Sequence, residues 1–75
     1  SEDKPKKLYL KVDSMSSPSF KRAIAVCEIF EGRIPVVIYE SEGKRYVSSS
    51  IMTDVTDFVY NELIEILGNG NVVIK

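Results

Sequence analysis

Asp54 and Asp57 stand three residues apart, Glu62 and Glu65 repeat that spacing, and Cys27 is the only thiol in the chain. Paired carboxylates are the raw material of general acid–base work, and a thiol becomes a nucleophile once a neighbouring base or cation lowers its pKa. Neither arrangement is completed here. The chain contains no histidine, which excludes Ser-His-Asp and Cys-His catalysis together with any zinc site built on imidazole. One cysteine makes neither a CxxC pair nor an internal disulfide. The glycines fall in FEGR, SEGK and LGNGN, and none of these is a GxGxxG or GxxxxGKS/T loop of the kind that cradles phosphate. The sequence therefore offers no catalytic residue, no cofactor site and no metal site.

What remains is the chemistry of contact. Lys44 and Arg45 beside Tyr46 form a small basic-aromatic spot of the kind that meets single-stranded nucleic acid, and Tyr9 with Lys11 extends it on an exposed sheet face. The apolar-periodic segment from Asp57 to Leu67 carries more apolar groups than one side buries. Val59, Leu63, Ile66 and Leu67 form its inward stripe, Tyr60 and Ile64 lie on the flank, and Phe58 projects among Asn61, Glu62 and Glu65. Phe58, Tyr60 and Ile64, together with Val73 and Lys75 of the last segment, are thus the candidate protein-docking residues. On this reading the first carboxylate pair belongs to a helix start and the second to a wet helix face.

Composition bounds the rest. Seventy-five residues at 44% hydrophobic and 28% charged make one small globular domain, whose core leaves modest stability or a need for a neighbouring domain. Ten basic and eleven acidic groups leave a net charge of −1, which gives no global field for a polyanion. Residues 1–38 hold seven basic and five acidic groups and residues 39–75 three and six, an imbalance that a solvated surface accommodates. No signal peptide or long apolar run is present, so a cytoplasmic protein without a membrane segment is expected. The start at Ser1 rather than methionine suggests a domain excised from a longer chain.

The elements that must position these residues follow from pattern. SEDKPK, residues 1–6, reads as a charged linker, and residues 7–75 as the domain. In KLYLKV, Leu8, Leu10 and Val12 alternate with Tyr9 and Lys11, as in a strand with one face on a core. Ser17 before Pro18 predicts a helix start. Phe20, Ala23, Ile24, Cys27 and Phe30 then share one helical face, which makes Cys27 a buried structural thiol. Gly32 is expected to end this helix in the left-handed conformation. IPVVIYE predicts a second strand opened by Pro35, SEGK a tight turn with Gly43 at positive φ, and KRYVS a returning strand. SSSIMTDV reads as an irregular polar connection, Thr56 as the cap of a helix over 57–67 ended by Gly68, and NVVIK as a final strand.

The order is βαββαβ, an α+β domain with two helices on one face of a four-stranded sheet. Two strand orders remain open. The ferredoxin-like order 4-1-3-2 places the polar KRYVS strand centrally, whereas a mixed sheet ordered 4-1-2-3 puts it at an edge, where charge discourages aggregation.

KLYLKV, EGRIPVVIYESEGK and VTDFVYNELIEILGNGNVVIK together resemble the C-terminal region of the bacterial replicative DNA polymerase III alpha subunit. In that family a strand of the type Leu-Tyr-aliphatic-basic leads into a helix. A Gly-x-x-Pro-Val link opens the second strand, here Gly32, Pro35 and Val36. A leucine-rich helix then runs through Leu-Gly and a polar turn into Asn-Val-aliphatic, here Leu67, Gly68, Asn71 and Val72. The similarity spans Lys7 to Lys75; Glu31 stands where family members often carry proline, and SSSIMTD has no counterpart in the pattern. The resemblance implies a non-catalytic module after the oligonucleotide-binding fold, serving DNA replication by docking tau, the clamp-loader subunit, or a neighbouring polymerase domain. The magnesium-binding carboxylates of the DNA-directed DNA polymerase, a nucleotidyltransferase, would lie elsewhere in the full-length protein, as would most nucleic-acid contact. The alternatives are a small-molecule-sensing regulatory βαββαβ domain, for which the loop DSMSSPS lacks the expected glycine, and an accessory single-stranded DNA contact module through Tyr9, Lys11, Lys44 and Arg45.

Overall fold

A computed structural model of the chain describes residues 6–75, so the linker expected over 1–6 lies, Lys6 apart, outside the described residues. The elements run β1 (Leu8–Val12), α1 (Pro18–Ile29), β2 (Glu31–Glu40), β3 (Arg45–Thr53), α2 (Asp57–Leu67) and β4 (Val72–Ile74). Both helix starts form as their caps dictate. The Phe20 N–H donates to Ser17 Oγ at 3.2 Å with Pro18 opening α1, and the Val59 N–H donates to Thr56 Oγ1 at 3.2 Å with Asp57 in the first turn of α2.

The sheet is mixed, in the order β3-β2-β1-β4, with β1 parallel to β2 and antiparallel to β4, and β2 antiparallel to β3. Of the two open orders this is the one that sends the polar strand to an edge. Both helices pack on one face. Leu8, Leu10 and Val12 of β1, Val36 and Ile38 of β2 and Val72 of β4 meet Ala23 and Cys27 of α1 and Val59 and Leu63 of α2 in one buried cluster. Each such side chain contributes roughly 1.5–3 kcal/mol for the larger aliphatics.

Four local expectations are corrected. Gly32 is not the left-handed stop of α1: the helix ends at Phe30, whose N–H donates to Val26 O, and Gly32 lies within β2. Its requirement is steric, because a Cβ there would sit 2.4 Å from Asp54 N and 2.5 Å from Thr53 C. Pro35 does not open β2 but interrupts it at a register shift, beyond the stretch from Val36 onward that pairs with β1, so its missing N–H disturbs no central ladder. At the SEGK turn the positive φ falls on Lys44 (52°), not on Gly43. Finally, SSSIMT is strand rather than irregular connection. Val47, Ser49, Ile51 and Thr53 turn inward while Ser48, Ser50 and Met52 are exposed. Two inward hydroxyls are satisfied: Ser49 Oγ donates to Val36 O at 2.6 Å, and Thr53 Oγ1 to Phe30 O at 2.7 Å.

Candidate binding surfaces

The face of the sheet turned away from the helices is built by register. Val73, Tyr9, Val37 and Ser48 form one cross-strand row, and Lys11, Tyr39 and Tyr46 the next. Because side chains alternate along each strand, these residues share the side opposite the core-facing Leu8, Leu10, Val36 and Ile38. Three tyrosines converge there. The Tyr39 and Tyr46 rings lie 4.9 Å apart, and Tyr9 meets Tyr46 edge-on at 6.2 Å. Lys75 Nζ stands 5.4 Å above the Tyr9 ring, at cation–π distance. Tyr46 remains 67% exposed, so the cluster presents an aromatic ring to solvent instead of burying it. A shallow depression of about 240 Å³ runs beside Tyr9, Lys11, Tyr39, Tyr46 and Lys75.

Of the residues singled out for nucleic-acid contact, Tyr9 and Lys11 stand on this face. Arg45 does not: its register partner is Glu40, on the core-side parity, and its Nε donates to Glu40 Oε1 at 3.0 Å. Glu40 also accepts the Met15 N–H at 3.1 Å. That backbone bond first, and Arg45 second, hold its carboxyl below the ordinary range. Lys44 occupies the hairpin turn. Tyr46, already part of the basic-aromatic spot, lies on this face, and Tyr39 and Lys75 join it without having been grouped with it by pattern. The available signal was the symmetry of Tyr39 and Tyr46 about the SEGK turn, which a hairpin converts into direct opposition.

The docking residues are divided by the fold. Phe58 is 58% exposed and leans on Phe30, ring centroids 5.6 Å apart, along the flank of α2 that faces α1. Tyr60 faces the other way, and with Val55, Asp57, Val72, Val73 and Ile74 it lines an open groove of about 440 Å³ between the start of α2 and β4. Ile64 packs half-buried against the core. By register Val73 belongs to the open sheet face as well as the groove wall, and Lys75 lies over Tyr9.

Main-chain geometry adds to that groove. The Lys75 N–H donates to Lys7 O at 2.9 Å and the Lys11 N–H to Asn71 O at 2.8 Å. With the two-residue period of an antiparallel ladder, Val73 pairs with Tyr9, and Val72 and Ile74 turn their N–H and C=O groups to the outer edge. Gly68 (φ 103°) and Gly70 (φ 93°) make the turn into this strand, and Asn71 Nδ2 donates to Leu67 O at 2.6 Å to fasten it to α2.

Elsewhere the surface has another open depression, of about 420 Å³, beside Glu28, Glu31, Ser50, Ile51 and Met52. Cys27 is fully buried, and desolvation pushes its thiol up to about 11 against the smaller lowering influence of the Thr53 hydroxyl, the reverse of an activated nucleophile. Among the described residues no group of three or more His, Cys, Asp or Glu side chains is placed to hold a metal ion, and no helix is long and apolar enough to cross a membrane. A cavity at the end of β1, beside Asp13, Ser17 and Asn71, measures about 130 Å³, below the ~300 Å³ of a typical small-molecule site. No model of a known protein family, no curated protein and no solved structure matches the chain.

Proposed function

We propose that this chain is a non-catalytic C-terminal module of a bacterial replicative DNA polymerase III alpha subunit. It serves DNA replication by docking an extended segment of tau, the clamp-loader subunit, along β4 and the facing flank of α2. The single observation that carries the docking surface is the contrast between the two sheet edges. β3 is polar, begins on Arg45 and is paired to β2 with register shifts, so that edge is poorly suited to accept another strand. β4 consists of Val72, Val73 and Ile74, uncharged and β-branched, with main-chain groups turned outward beside the Tyr60 groove. A partner strand added there would gain backbone hydrogen bonds from the edge and side-chain contacts from Tyr60, Val55 and Ile74. The parentage rests on the sequence resemblance alone, whose residues Leu67, Gly68, Asn71 and Val72 lie at the turn from α2 into β4. Nucleotide transfer would then belong to other domains of the full-length polymerase.

Binding of the 75-residue chain to the tau C-terminal region, measured by titration calorimetry, tests the surface. Ile74→Pro removes one outward N–H while the Val73 and Lys75 bonds to β1 remain. Affinity should fall at least about tenfold, equivalent to one lost hydrogen bond of ~1.4 kcal/mol. Lys21→Ala on α1 should leave it unchanged. Absence of binding, or binding indifferent to Ile74→Pro, would contradict the proposal.

A further inference from the structure

The open sheet face is a second surface, built from different side chains than the β4 edge. It joins an aromatic cluster to basic side chains. Tyr9, Tyr39 and Tyr46 form a contiguous aromatic cluster, all within 6.2 Å between successive ring centroids. The charges that line its depressions are basic: Lys11 lies in the tyrosine row, Lys75 sits over the Tyr9 ring, and Lys7 and Lys75 line a second depression with Tyr9, Val37, Tyr46 and Ser48, while Asp13 shares a separate cavity with Lys11 past the end of β1. In the two register rows no position is acidic. The net charge of −1 is therefore a poor guide to this face. The acidic groups sit elsewhere, including Glu40 beneath Arg45 and Asp57 at the start of α2.

We infer that this face binds single-stranded nucleic acid, with Tyr46 as the exposed stacking platform, Tyr9 and Tyr39 holding its ring in place, and Lys7, Lys11 and Lys75 meeting phosphates. Flat aromatic rings accept any base, and ammonium groups at their margin neutralise the backbone, so the recognition is of strand form more than of sequence. A folded protein partner would be a poorer match, because three lysines without an interleaved acid would meet a mixed-charge surface. Duplex DNA stacks its bases out of reach of a flat sheet.

Fluorescence anisotropy with labelled oligothymidine and oligouridine of on the order of eight nucleotides, and a duplex of equal length, provides the test on the 75-residue chain. Binding to the single strands, weakened by salt with a slope of log K on log salt near −2, is expected from three phosphate contacts at ~0.7 each. Tyr46→Ala should weaken binding about tenfold and Tyr46→Phe should retain it. Each of Lys7→Ala, Lys11→Ala and Lys75→Ala should reduce the slope by about 0.7, whereas Lys21→Ala with Arg22→Ala on α1 should not. The DNA and RNA arms identify which strand is preferred. Ile74→Pro should leave this binding intact, which separates it from docking at the β4 edge. No single-strand binding at 50 mM salt, equal binding to the duplex, or affinity unaltered by Tyr46→Ala would overturn the inference.

Discussion

Replacing Gly32 by alanine tests how β2 meets the end of β3. The added Cβ would lie 2.4 Å from Asp54 N, 2.5 Å from Thr53 C and 2.6 Å from Asp54 Cα. Ordinary contact begins at 3.4 Å, so about 1 Å of separation must be found. All three atoms are backbone, which no rotamer change can move. They belong to a segment pinned twice to Phe30 O, by the Asp54 N–H at 2.9 Å and by Thr53 Oγ1 at 2.7 Å. Overpacking usually costs ~1–3 kcal/mol, and a rigid backbone neighbour places this case at about 3. A 75-residue domain has a total stability of only about 4–11 kcal/mol. Such a loss corresponds to a melting midpoint lower by roughly 12–24 °C. Urea unfolding followed by circular dichroism should show Gly32→Ala and Gly32→Asn destabilised alike. Had Gly32 been a left-handed helix stop, asparagine would be tolerated and alanine would cost ~1 kcal/mol. Near-wild-type stability of Gly32→Asn would refute the close-packing argument.

Three further outcomes follow from single groups. Cys27 should resist alkylation in the folded chain and react only at the rate of unfolding, as read by mass spectrometry. Its folded pKa near 11 against an ordinary 9.0 means the folded state keeps a proton that the unfolded chain loses, so stability should fall between pH 9 and 11. Cys27→Ala should flatten that decline relative to wild type. Glu40 behaves oppositely: its folded pKa lies below 4.5, so its contribution is full above that value and fades as pH falls through the lower one. The difference in unfolding midpoint between wild type and Glu40→Gln should shrink accordingly on acidification. Thr56→Ala removes the acceptor for the Val59 N–H and should cost ~1 kcal/mol in denaturant unfolding.

Most of the architecture was legible because small, local rules agreed. Ser17-Pro18 and Thr56-Asp57 announced both helices, and alternation announced β1. The polarity of KRYVS carried the one argument about strand order, and the edge position of β3 agrees with it. The extension of β3 was hidden because Ser49 and Thr53 occupy inward positions, where their hydroxyls bond to carbonyls of β2 and of the α1 cap. Period-two reading by hydrophobicity fails when a polar side chain is the one buried. Gly32 was misread because a helix stop and a backbone crossing both require the absence of a Cβ. The surfaces were less legible than the fold. Lys11 was recognisable from its strand, but Arg45 was assigned without the parity that ties it to Glu40. The meeting of Tyr9, Tyr39 and Tyr46 depends on β1, β2 and β3 lying side by side, information that exists only once the sheet is assembled.

Docking along β4 is tested by amide chemical-shift mapping of the isotope-labelled 75-residue chain against the tau C-terminal region. Docking there should concentrate shifts at Val55, Tyr60 and Val72 to Ile74, with slowed hydrogen exchange at the outward-facing Val72 and Ile74 amides. Shifts confined to Tyr9, Lys11, Tyr39 and Tyr46, or none at saturating partner, would contradict it.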